Sequence, residues 1–150
     1  MSVAMSAGVQ RLISIIAILA VCGVVVSSVS LQTHYAKSKT EFCDIGDSFN
    51  CDIVNRSQYS EVMGIPVALI GMLGYGMLAG LATVYREKRE TPSLILVGAV
   101  AGLAFALYLT YVEARLLGVW CILCLSSLAL ISATVVVAGV MWAKSRKVDL

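Results

Sequence analysis

Charge is what this sequence has least of. Asp, Glu, Lys and Arg make up 13% of its 150 residues while 59% are hydrophobic, whereas soluble domains run to about 25% charged and about 45–50% apolar. That balance excludes a soluble globular enzyme. Histidine is almost missing: His34 is the only one, and its place just beyond an apolar run reads as a solvated interface residue rather than a general acid or base. Long polar stretches are missing as well. Outside the apolar runs only residues 34–61 have the length to form an extramembrane structure, which excludes a separate catalytic domain and means that a bulky substrate must be brought by a partner. The basic residues are accounted for by membrane topology, and no nucleic-acid partner is expected.

What is present instead is apolar chain in four uncharged runs, 12–33, 62–85, 91–112 and 116–143, each meeting the roughly 20 residues needed to cross a hydrocarbon core. The expected fold is an all-α membrane protein, a single domain over 1–150 built as a bundle of four transmembrane helices, with one extracytoplasmic loop or lid at 34–61 between helices one and two. Placing both termini and the loop after Tyr85 in the cytoplasm puts Arg11, Arg86, Lys88, Arg89, Lys144, Arg146 and Lys147 inside, seven of the eleven basic residues, as the positive-inside rule asks. The stretch 31–61 carries three basic and five acidic residues, is net negative, and is easily translocated. The first run exceeds the roughly 7–15 residues of a signal-peptide core, so it is expected to stay as a helix.

Within this frame the five cysteines are unevenly placed. Cys22 falls mid-run in the first helix, where a lone thiol behaves as a small hydrophobe and is expected to pack. The other four form two pairs on the outer side. Cys43 and Cys51 flank a turn-rich stretch of Gly, Asp, Ser and Asn, and can close into a disulfide. Cys121 and Cys124 stand at the mouth of the last apolar run, with no charged residue between Arg115 and Lys144. Helical residues three apart share a face and differ in depth by about 4.5 Å, so these sulfurs can pair while one sits deeper. A thiol at a helix N-terminus is favoured as thiolate by the helix dipole, which points to exchange chemistry rather than inert burial. Two other uses of four thiols compete: structural disulfides stapling a non-catalytic tetraspan protein, and a tetrahedral zinc site. The first has no need of a Cys-x-x-Cys in a helix, and the second lacks a supporting carboxylate pattern, so no metal is expected.

The remaining features are read as packing and helix ends. Ser60 and Glu61 are expected to cap the second helix, with Pro66 in its first turn and a start near Gly64. The Gly76/Gly80 and Gly98/Gly102 pairs are expected to allow close helix approach. The third run delivers Tyr108, Tyr111 and Glu113 to the same outer end as Cys121, through a connection of a few residues.

Taken together, Cys43-x7-Cys51, Ser57 six residues later, Gly64-Ile65-Pro66-Val67-Ala68 opening a helix, and Trp120-Cys121-x-x-Cys124 at the head of the last helix resemble the vitamin K epoxide reductase family, most closely its bacterial branch, over about residues 34–130. The resemblance implies a four-helix bundle holding a quinone, ubiquinone or menaquinone, near the Cys-x-x-Cys. It also implies a thioredoxin-like partner whose oxidation supports disulfide formation in secreted proteins. Many bacterial members carry that partner as a fused domain; this chain ends at Leu150, so a separate disulfide oxidase acting in trans is expected.

A lipophilic quinone must meet the deeper thiol, and a soluble dithiol can reach only the loop, so the two pairs are expected to act in series. A partner thiolate attacks Cys43, freed Cys51 attacks Cys121, and released Cys124 faces the quinone. Ser57, Tyr108 and Tyr111 are the polar groups expected to reach a quinone carbonyl. The alternatives in function are a strict vitamin K epoxide reductase and the stapled, non-catalytic tetraspan protein.

Overall fold

The computed structural model of the chain describes residues 6–39 and 41–148. It is mostly helical, in the order α1 (Ala7–Tyr35), α2 (Cys51–Asn55), a hairpin of β1 (Glu61–Val62) and β2 (Ile65–Pro66), α3 (Val67–Thr83), α4 (Thr91–Val112) and α5 (Ile122–Val148). Helices α1 and α5, and α4 with its continuation to Leu117, are long and apolar enough to cross a membrane; α3 has 17 residues and is shorter. The four long helices pack as α1 against α3 and α5, and α4 against α5 and α3.

The core between them is aliphatic, with Ile13, Ile16, Ala20, Ile95, Ala99, Ala138 and Met141 buried. Apolar side chains also face outward along the same helices, Ile18, Val25, Val97 and Val136 among them, the pattern of a helix whose outer face is solvated by lipid rather than water. Helices α1 and α3 approach closely at Gly23 and Tyr75. A Cβ on Gly23 would come within 2.2 Å of the Tyr75 ring, so only glycine lets that ring lie against the α1 backbone.

The apolar run from Val62 does not begin as helix: Val62 pairs with Ile65 and Glu61 with Pro66 in an antiparallel hairpin. Its turn residues Met63 and Gly64 take φ of 54° and 81°, which suits the twist of a tight hairpin, and α3 starts only after Pro66. Ser60 and Glu61 therefore do not cap α3, whose N-cap is Pro66; the Ser60 hydroxyl donates to the Ser57 carbonyl at 2.6 Å. Gly98 and Gly102 do face neighbours, Leu78 and Ile131, at 3.3 and 3.1 Å from a notional Cβ, whereas Gly76 and Gly80 face none within 4 Å. Cys22 is exposed on the outer side of α1 instead of packing inward. His34 is not solvated: its ring contacts the Asn55 carbonyl through Nδ1 and the Glu61 carboxylate through Nε2 at 3.2 Å.

Candidate redox site

Two backbone hydrogen bonds bring the cysteine pairs together. Trp120 donates its N–H to the Ser48 carbonyl at 2.8 Å, and Asn50 donates to the Trp120 carbonyl at 3.0 Å, so Phe49 and Trp120 form a parallel bridge. Cys51 follows Asn50, and Cys121 follows Trp120; the bridge places both next residues side by side. From there each chain turns into a helix. Asn50 accepts the Ile53 N–H on its side-chain oxygen at 3.0 Å as the N-cap of α2. Cys121 precedes α5, its carbonyl accepting the Leu125 N–H at 3.0 Å. Both sulfurs thus sit at helix N-termini.

Cys43 and Cys51 form a disulfide, and Cys121 and Cys124 are free thiols. The Cys121 sulfur lies 3.2 Å from that of Cys51, within the separation at which a thiolate and a disulfide sulfur react. Cys43, Cys51 and Cys121 are all fully buried, packed with Val54 and Leu123 and flanked by Val26, Val29 and Leu117. Three sulfur atoms within 4.8 Å of one another are a possible metal-ligand set, but two of them are joined to each other. That bond leaves one ionisable thiol where a tetrahedral zinc site needs several thiolates.

Polar groups around the sulfurs are few and specific. The Asn55 side-chain amide, buried, donates to the Cys51 carbonyl at 3.0 Å and toward the Cys121 sulfur at 3.7 Å. The hydrogen bond from the Cys124 thiol holds the Cys121 thiol below its ordinary range, partly opposed by burial. On the other side, α4 runs on as a π turn, Glu113–Leu117, closed by Gly118 at φ 67° with its N–H donated to the Glu113 carbonyl at 2.8 Å. Such turns cluster at functional sites. This one swings the Glu113 carboxylate inward, where Oε2 accepts the Cys121 N–H at 3.0 Å.

Below the sulfurs, between α1, α3, α4 and α5, lies a cavity of about 340 Å³. Its wall is apolar, formed by Leu78, Phe105, Leu109, Leu123 and their neighbours, with Asn55 and Cys124 at one end and Tyr75 and Ser127 further along. The Tyr75 hydroxyl donates to the Ser127 carbonyl at 2.8 Å. Cys124 borders this space and Cys121 does not, so the deeper thiol faces the cavity and the shallower one faces the disulfide.

The structure brings Cys43, Cys51, Cys121 and Cys124 into one cluster. It does not bring the three expected polar contacts to the cavity. Tyr108 and Tyr111 are 52% and 59% exposed, on the outer face of α4, because the cavity side of that helix is taken by Phe105, Ala106 and Leu109. Ser57 stays above it, its hydroxyl donated to the Val54 carbonyl at 2.9 Å. Sequence reasoning missed Asn55, whose signal was only its position four residues after Cys51, one helical turn on the same face. It also missed the inward turn of Glu113, which no local pattern announces.

The profile of the vitamin K epoxide reductase family matches residues 14–139, a stretch containing both cysteine pairs and every cavity-lining residue. On that match, and with four cysteines gathered at the head of its last helix, the chain belongs to the vitamin K epoxide reductase family, whose members are oxidoreductases.

Proposed function

We propose that this protein is a quinone-dependent thiol–disulfide oxidoreductase. It takes electrons from a thioredoxin-like protein dithiol at Cys43/Cys51 and passes them to Cys121/Cys124, supporting disulfide formation in proteins outside the cytoplasm. The observation that carries the proposal is the 3.2 Å separation of Cys51 and Cys121 across two otherwise separate pairs, since a pair of structural bridges has no use for such an approach. The loop disulfide with free Cys121 and Cys124 corresponds to the state in which electrons have already moved inward.

The steps available to the chain's own residues are exchange reactions. A partner thiolate attacks Cys43 and releases Cys51. Because Cys43 is fully buried, the segment around it must lift for that attack, and its exposed acidic residues, Asp44 and Asp47, keep it water-compatible when it does. Cys51 then attacks Cys121, and Cys124 leaves. Once the partner's second thiol has freed Cys43, Cys43 closes back onto Cys51 and Cys121 leaves. Exchange is fastest when the leaving sulfur is a stable thiolate, and the lowered Cys121 thiol and the Asn55 amide beside it both favour release of Cys121 in that step. The apolar cavity bordered by Cys124 has the size and lining expected of a lipophilic ligand site, and a quinone, ubiquinone or menaquinone, bound there supplies a two-electron acceptor. Ser27, Ser30, Asn55, Tyr75 and Ser127 are polar side chains of that wall, and we assign Asn55, Tyr75 and Ser127 the role of orienting the ring in place of Ser57, Tyr108 and Tyr111.

Helix α3, about 26 Å long at 1.5 Å per residue, crosses with the other three as a fourth span in this scheme. The hairpin and α2 form the lid over the cavity. Both termini face the cytoplasm and both cysteine pairs the periplasm or its equivalent.

The test compares two electron donors. Cys43→Ala and Cys51→Ala should abolish oxidation of a thioredoxin-like protein yet retain quinone reduction by a small dithiol that diffuses to the helix mouth. Cys121→Ala and Cys124→Ala should lose both. Quinone reduction unchanged in Cys124→Ala, or absent from the unaltered protein, would overturn the proposal.

A further inference from the structure

Glu113 is a carboxylate where a membrane protein can least afford one. It is 1% exposed, and while Oε2 accepts the Cys121 N–H at 3.0 Å, Oε1 has no hydrogen-bond partner among the described residues. A backbone N–H needs only one acceptor, and an amide or hydroxyl would serve it without the penalty of burying an ionisable group. The free oxygen therefore asks for a second role. The neighbour able to supply one is Cys124, on the first turn of α5 just beyond Cys121, whose N–H the same carboxyl group accepts. The titratable groups facing Glu113 are Cys121, which precedes α5, and Cys124 in its first turn, with the disulfide-bonded Cys51 and Cys43 beyond them; Arg115, on its own turn, is exposed.

We infer that Glu113 is the proton store of the inner cysteine pair, holding the Cys124 proton while that pair is oxidised and returning it when Cys124 is released. The inference deepens the redox relay and rests on it. In the exchange step the Cys51 thiolate attacks Cys121, the Cys51–Cys121 bond forms, and the Cys121–Cys124 bond breaks. Cys51 is oxidised, Cys124 is reduced and leaves as a thiolate, and the proton on Glu113 Oε1 moves to it, leaving a carboxylate. When Cys124 is next oxidised, the electron pair passing to the quinone of the proposed function, its proton returns to Glu113. Across the exchange step the site thus carries one negative charge, which passes from the Cys51 sulfur to Cys124 and then to the Glu113 carboxylate. A second anion beside the first in this apolar setting would be strongly disfavoured.

Glu113→Gln separates proton storage from structure, because the glutamine carbonyl still accepts the Cys121 N–H but cannot carry the proton. With all four cysteines reduced, the pH midpoint of alkylation at Cys121 and Cys124 should fall by about one unit in this variant, since the first thiolate no longer forms beside an existing carboxylate. Dithiol-driven quinone reduction should fall by about 100-fold. A more ionised thiol pair with slower turnover is a combination that mere loss of packing does not produce. Glu113→Asp, which keeps an ionisable group, should hold its alkylation midpoint close to the unaltered protein's, and it serves if the glutamine variant does not fold. An unchanged midpoint and unchanged turnover in Glu113→Gln would overturn the inference, as would a shift in Glu113→Asp equal to that in Glu113→Gln. If the unaltered protein reduces no quinone, the relay fails, while the alkylation comparison still decides whether Glu113 exchanges charge with the thiols.

Discussion

Among single residues, Cys121 carries the most chemistry. It lies between the outer disulfide, at 3.2 Å from Cys51, and Cys124 on the cavity wall, and three groups address it: the Asn55 amide, the Cys124 thiol and the Glu113 carboxylate. The thiolate is the attacking form, so a lowered Cys121 thiol means that reactivity rises with pH earlier than for a free cysteine. In reduced protein, alkylation of Cys121 should reach half its limiting rate below the ordinary thiol value of about 8.5, and mass mapping across a pH series would measure it. Asn55→Ala removes the amide donor to that sulfur. The midpoint should move up and exchange at neutral pH should slow by about ten-fold, the effect of losing one hydrogen bond to a charged group. A midpoint left in place would assign Asn55 to the Cys51 carbonyl alone.

At the scale of elements, what could be read in advance was governed by range. The long uncharged runs are local signals, and α1, α4 and α5 formed within a few residues of them because about 20 apolar residues in lipid have no other way to satisfy their backbone. The order and spacing of the cysteines are also local, and they placed Cys121 and Cys124 at a helix head. The hairpin at 61–66 was hidden because Val62, Ile65 and Pro66 extend the apolar run of α3, so hydrophobicity continues across a change of backbone state. The orientation of α4 was hidden for a different reason. With every face apolar, nothing in the sequence tells which side holds the cavity, and Tyr108 and Tyr111 were assigned inward when they face out. The same limit concealed Gly23 as the contact point of α1 with α3. Gly23→Ala would drive a methyl group into the Tyr75 ring, 2.2 Å away, and should destabilise the bundle by about 1–3 kcal/mol. Thermal unfolding in detergent measures that loss, and Gly76→Ala, which meets no neighbour, is the control expected to be neutral.

For the whole molecule, helices long and apolar enough to cross a membrane form the wall of a cavity, with the disulfide-bearing segment laid across its end. The cluster of sulfurs is closed over at that end: Cys43, Cys51 and Cys121 are all fully buried, while the long helices expose aliphatic side chains all round. Such an arrangement serves electron transfer between a soluble dithiol and a membrane ligand only if both pairs sit on one side. After reduction, an impermeant thiol reagent applied to intact cells should label Cys43 and Cys51 and should not label cysteines introduced at Arg86 or Ser145. Labelling of the introduced sites alone would invert the topology.

The central claim is that electrons cross from one pair to the other through Cys51 and Cys121. Its most direct measurement is the trapped mixed disulfide in protein carrying Cys43→Ala and Cys124→Ala, which removes both resolving sulfurs. Under mild oxidation this variant should form an internal bond between Cys51 and Cys121, identified by peptide mass mapping, faster than the Cys51→Ala, Cys124→Ala variant joins Cys43 to Cys121. Absence of the Cys51–Cys121 bond, or faster closure of Cys43 onto Cys121, would contradict the route.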